Sequence, residues 1–249
     1  MAKKKSAGEP KLRRSCGAMA VHMMLLEQHP SFRASQMRLE GATSRRRDTG
    51  ADLKIAPIVV IKTVVNVVYK TAAQNISDAQ IKSQFTAMNK DFRATNADKS
   101  KTPVPWKGLV TDARLEFKLV KVTRTQTVKD GFGADDKVKK ASTGGIAPFS
   151  PKTHLNLWVC ALTGGLLGYA QFPGGPTASD GVVMNHRAFG TIGTATAPYT
   201  RVARPRTRSA TTSTCGTSGA THPTAAAPTW PPTLPTVPAP TSGRPPGRS

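Results

Sequence analysis

The sequence predicts a mixed α+β domain between about residues 52 and 199, on three observations. A dense β-branched run fills residues 58–69, a capped amphipathic helix follows it, and shorter alternating segments come after that. In the first run Ile58, Val59, Val60, Ile61, Val64, Val65, Val67 and Val68 suit a buried pleated surface, because branching at Cβ stiffens the side chain in extended backbone. Ser77 can then cap free amides while Gln80 reaches back, a capping box. Ile81, Phe85, Met88 and Phe92 follow at spacings of four, three and four, which puts them on one face of a helix. Ala113, Leu115, Phe117 and Leu119 alternate with Arg114, Glu116 and Lys118, the mark of a half-buried strand. Leu155, Leu157 and Val159 repeat the pattern. Gly164-Gly165 turns the chain into a further strand over residues 166–172, which Pro173-Gly174-Gly175-Pro176 stops. Residues 181–184 form a last short strand.

The ends read differently. Residues 1–15 are a basic tail without enough apolar content to fold. Residues 19–26 make a short helix, a polar segment runs from Pro30 to Arg47, and residues 48–51 are a linker. Residues 200–249 contain no Asp, Glu, Lys, Ile, Phe or Met and are dominated by Thr, Pro, Ala, Ser, Gly and Arg. Such a stretch cannot bury enough apolar surface to offset its ordering entropy, so a disordered C-terminal tail is expected. Three segments result: 1–51, 52–199 and 200–249.

The chain carries 36 Lys and Arg against 14 Asp and Glu, a formal charge of +22. That balance favours anionic partners and keeps open a non-enzymatic basic protein that binds anionic polymers. No patch interleaves basic and aromatic residues and no nucleic-acid-binding motif is present, so no specific nucleic-acid partner is expected. No apolar run is long enough for a membrane span. The basic start lacks the apolar segment and cleavage site of a signal peptide. Cys16, Cys160 and Cys215 are too few and odd in number for a disulfide framework. Cys160, inside an apolar strand, reads as a buried small hydrophobe.

Several segments in order resemble the pappalysin family of metzincin zinc proteases, the relatives of ulilysin and cytophagalysin. They are Arg14-Ser15-Cys16-Gly17, Val67-Val68-Tyr69, residues 75–81, Asn89-Lys90-Asp91-Phe92-Arg93 with Thr95-Asn96, residues 155–160, residues 165–174, residues 180–183, and Phe189-Gly190. Together they span roughly residues 12–199. The resemblance implies a propeptide before a twisted mixed five-stranded sheet with backing helices, the N-terminal subdomain of a metzincin. It implies zinc as cofactor, with calcium in intact relatives, a protein or peptide substrate, and secretion. In the family the lowest strand of the sheet lines the cleft and pairs with substrate backbone. Leu167, Gly168, Tyr169, Ala170, Gln171 and Phe172 are the candidates for it. Cys16 in this context implies a zymogen switch, in which its thiolate fills the fourth position on zinc and displaces the hydrolytic water.

The chemistry itself is missing from the sequence. A metzincin needs His-Glu-x-x-His-x-x-x-x-x-His, with the histidines on zinc and the glutamate as general base. The five histidines are His22, His29, His154, His186 and His222. No two stand four apart and none precedes Glu. The family places the motif just after Tyr199, where the composition breaks. In a one-base-shifted reading each residue fixes two of the three bases of a shifted codon. Codons exist for residues 207–220, with one base from the codon before and two from the codon after, whose shifted reading is His-Glu-Val-Gly-His-Tyr-Leu-Asn-Leu-Arg-His-Ile-Trp-Gly-Asp. Residues 238–243 likewise permit Gly-Pro-Asn-Phe-Gly. The expectation is a metalloendopeptidase relative, inactive as written, with one base lost near codon 200.

Overall fold

The computed structural model describes residues 16–49 and 57–197. The sequence-predicted basic and Pro/Thr-rich tails lie outside those residues, as do Cys215 and His222.

The chain enters as two helices, α1 (Ala18–Gln28) and α2 (Pro30–Asp48). α2 replaces what the sequence reads as an irregular polar segment. Its Pro30 sits where a helix start tolerates a missing amide, and Arg, Gln, Met, Leu, Glu and Ala are good helix formers. Only Phe32 of α2 is fully buried, so the helix carries almost no apolar periodicity to betray it.

Strand β1 (Val59–Tyr69) then leads through helix α3 (Asp78–Phe92) to strand β2 (Leu115–Gln126), a βαβ unit in which β1 and β2 are parallel. Strands β3 (Leu155–Cys160), β4 (Gly168–Ala170) and β5 (Val182–Asn185) complete one five-stranded sheet in the order β2-β1-β3-β5-β4. All neighbours are parallel except β4, which runs antiparallel to β5 at the edge. The predicted strand over 166–172 thus contracts to three laddered residues. Gly168 is needed there, since a Cβ would stand 2.5 Å from the Val183 carbonyl oxygen.

The sheet buries both faces, as parallel sheets do. On one face Ile81, Phe85 and Met88 of α3 pack on Val65, Val67, Phe117, Leu157, Val159 and Met184. The predicted helix face is therefore the buried one. Asn89 adds a specific tie: its Oδ1 accepts from the Phe117 amide at 2.7 Å and its Nδ2 donates to the Phe117 carbonyl. On the other face Val68, Trp158, Cys160, Tyr169 and Val183 meet Phe132 and Val138 from the loop after β2, and Val21, Leu25 and Phe32 from α1 and α2.

The predicted capping box is half right. Ser77 Oγ accepts from the Gln80 amide at 3.2 Å. The Gln80 side chain turns away from the cap: its Nε2 donates to the Phe189 carbonyl at 2.8 Å and its Oε1 accepts from the Thr194 amide at 3.0 Å. Tertiary hydrogen bonds outcompete the local one because Gln80 is buried against the segment leaving β5. Ser77→Ala should accordingly cost about 1 kcal/mol, the usual value of an N-cap, read as a lowered denaturation midpoint without loss of the fold.

Candidate substrate cleft and prosegment contact

β4 is an edge strand, and its free edge is occupied by the chain's own N-terminal segment. Cys16 forms a parallel bridge with Gly168, and the Gly17 amide donates to the Gly168 carbonyl at 2.9 Å. The two sequence candidates, Cys16 and the 167–172 stretch, therefore lie side by side. Gly17 fits closely: a Cβ there would come within 3.2 Å of the Ala134 and Tyr169 Cβ atoms. Behind it, α1 packs on β4, and His22 stands edge-on between Phe172 (4.8 Å between ring centroids) and Phe32 (5.5 Å). From α2, Gln36 Nε2 donates to the Pro173 carbonyl.

Gly17→Val introduces overpacking of the kind that costs about 1–3 kcal/mol. We expect it to loosen residues 16–48 from β4, seen as several-fold faster tryptic cutting in that segment while the sheet stays resistant.

Of the six strand candidates, Leu167, Gly168, Tyr169, Ala170 and Gln171 are buried and Phe172 is half-buried. What β4 offers a peptide is therefore main chain, not side chain. Gln171 illustrates this: its Nε2 donates to the Pro176 carbonyl and its Oε1 accepts from Ser179 Oγ, so the amide closes the 171–179 connector on itself. Cys16 is exposed and its sulfur is disulfide-bonded in this structure, so a switch thiolate requires that bond to open. Cys160 is fully buried, and burial pushes its thiol well above the ordinary range, which suits a small hydrophobe.

Among the described residues no group of three His, Cys, Asp or Glu side chains could hold a metal ion. The described residues do not fit a catalytic zinc, which takes three protein ligands and an open position.

A second feature lies on the α3 face. α3 packs on β2, and beside it a groove of about 350 Å³ is lined by residues of all five strands. Its walls include Met88, Leu155, Leu157, Ala170, Val182 and Met184. The chain leaving β5 is steered by α3: Gln84 Oε1 accepts from the Gly190 amide at 2.7 Å, alongside the Gln80 contacts to Phe189 and Thr194. Gly190 and Gly193 both have positive φ (84° and 72°), and a Cβ on either would collide with Gln80. Sequence reasoning did not find this bracket, since a buried Gln pair on a helix has no periodic signature.

The fold has counterparts among solved structures. Promirolysin of Tannerella forsythia, as its E225A mutant, matches with a TM-score of 0.62 at 35% identity, over 75% of this chain and 64% of that one. Mature mirolysin with a cleaved peptide matches with a TM-score of 0.57 at 42% identity, over 58% and 59%. The matched part of this chain is similar to mirolysin, a pappalysin-type metzincin. An extracellular metalloprotease of Arthroderma benhamiae is 26% identical over 155 residues, 61% of this chain and 49% of that protein. No family model matches. The pappalysin-like chain thus spans about half to two thirds of the length of these relatives. The match to the pro-form reaches 75% of the chain, against 58% for the mature enzyme.

Proposed function

We propose that this chain is the N-terminal part of a secreted zinc endopeptidase whose reading frame is displaced by one base just after the Tyr199 codon, and that the product as written does not hydrolyse peptides. What supports the reading is that the residues after Tyr199 permit codons whose shifted frame spells the motif. Residues 199–208 can be encoded as TAC ACA AGG GTC GCA CGA CCA CGC ACG AGG, one of the codon sets the amino acids permit. One adenine added to the Thr200 codon turns them into Tyr-Asn-Lys-Gly-Arg-Thr-Thr-Thr-His-Glu, which runs on into the full zinc motif. The same correction serves the Gly-Pro-Asn-Phe-Gly segment further on.

The geometry is in keeping with this reading. Main-chain groups of β4 face outward in the way strand-addition sites receive extended peptides, and residues 16–17 occupy that edge as a prosegment would. The proposed cleft strand is Gly168 to Ala170, flanked by Leu167, Gln171 and Phe172. Cys16 is the proposed switch residue, its sulfur available to zinc once its disulfide is open. The extracellular relative supports export, and the peptide held by mirolysin supports a peptide substrate. On this reading much of the positive charge after residue 200 is a by-product of the displaced frame, because the segment's Arg codons arise from it.

Sequencing the gene through codon 200 tests the proposal. A one-base insertion there that restores the motif supports it; a gene in which no one-base change restores His-Glu-x-x-His overturns it.

A further inference from the structure

Lys139 is buried to 2% exposure in a chain whose other lysines largely face solvent. It belongs to a short 3-10 turn, Lys137–Lys139, in the loop between β2 and β3. Its Nζ pairs with Asp136 Oδ1 at 2.8 Å and donates to the Ser179 carbonyl in the β4–β5 connector. The same ammonium lies 5.5 Å from the Trp158 ring centroid on β3 and 5.3 Å from that of Tyr169 on β4. The turn is itself fixed from behind: the Ile146 amide donates to the Val138 carbonyl and Trp158 Nε1 donates to the Ile146 carbonyl, each near 2.8–2.9 Å.

A buried ammonium is expensive for stability, and an apolar side chain of similar size is often as good or better. Its ring contacts recover part of that cost, since cation–π attraction strengthens when desolvated. The arrangement also has a directional consequence that an apolar residue lacks. One charge joins three separate pieces of backbone: the 136–139 turn, β4 through Tyr169, and the connector at Ser179. The opposing groups around it are Asp136, Asp180 and the Tyr169 ring. The connector and β4 together make the whole margin of the sheet on that side, and they share no ladder with any strand beyond β5.

We infer that Lys139 is a positioning residue for the cleft margin, bolting β4 and the 176–180 connector to the β2–β3 loop so that the edge strand keeps its register when its outer side is unoccupied. The significance of that margin rests on reading β4 as the peptide-pairing strand; the local ordering effect does not, and needs neither zinc nor a corrected frame.

Hydrogen exchange on the full 249-residue chain tests it. Lys139→Met should raise exchange at least tenfold in peptides covering residues 165–185, leave α3 and the β1–β2 pair unchanged, and leave the global midpoint level or higher. Asp136→Asn should reproduce the local effect, and Lys139→Arg should restore most of the protection. Three outcomes overturn the inference: no change over residues 165–185 in Lys139→Met, an equal rise in α3 and β2, or an Arg variant that behaves as the Met variant. A chain that fails to bind zinc or to cleave peptide leaves this result untouched, so failure of the protease reading is seen separately.

Discussion

Adding one adenine to the Thr200 codon is expected to convert a product that neither retains zinc nor cleaves casein into one that binds one zinc per chain and does both. The effect is all-or-none because zinc hydrolysis needs three ligands in fixed geometry and a base beside the bound water. Among the described residues there is no such set. The corrected frame supplies it in one stroke, with two histidines four apart on one helix face, the glutamate between them and the third histidine six residues on. Changing that restored glutamate to glutamine should keep the metal and abolish cleavage, which separates a loss of folding from a loss of chemistry. Metal content measured beside casein cleavage decides the matter. Tightly held zinc and cleavage in the unaltered 249-residue product would sink the proposal.

Much of the fold is legible because its elements bury one kind of face. β1, α3, β2, β3 and β5 each announce themselves by apolar spacing, and Ile81, Phe85 and Met88 go where that spacing sends them. Two elements are not legible, for opposite reasons. α2 buries almost nothing besides Phe32 and is held by its ends and by Gln36, so there is no stripe to read. β4 shows seven residues of strand-like sequence but ladders only three: at one end the Leu166 carbonyl accepts from the Asn185 side chain, and at the other Pro173 opens a turn. For the candidate site, Cys16 and the 167–172 stretch are each singled out by family resemblance, but nothing in the sequence shows that they pair, since 152 positions separate Cys16 from Gly168. Lys139 is invisible at that level altogether. A lysine in a Lys-rich stretch is normally solvated, and only the tertiary approach of Trp158 and Tyr169 makes this one different.

The corrected frame should change folding as much as chemistry. The restored helix carries Val two residues after its first histidine and Leu four residues after that Val, so both fall on the side opposite the two metal-binding histidines. A helix of that kind has an apolar stripe to bury, and the groove over Leu155, Leu157, Val182 and Met184 is open beside α3. The bracket formed by Gln80 and Gln84 on residues 189–194 delivers the chain to the same side of the sheet. If about four apolar side chains of the helix are buried there, at about 1.5–3 kcal/mol each, the contribution is about 6–12 kcal/mol. Typical domains have only about 5–15 kcal/mol of net stability, so a chain without that helix keeps a much smaller margin than one with it. The 249-residue product should therefore unfold at a clearly lower midpoint than the frame-corrected product and bind more of a hydrophobic dye. Calorimetry on both proteins at matched concentration reads the difference directly. Equal midpoints and equal dye binding in the two proteins would mean that the groove needs no occupant and that the sheet, α3 and the N-terminal helices suffice by themselves.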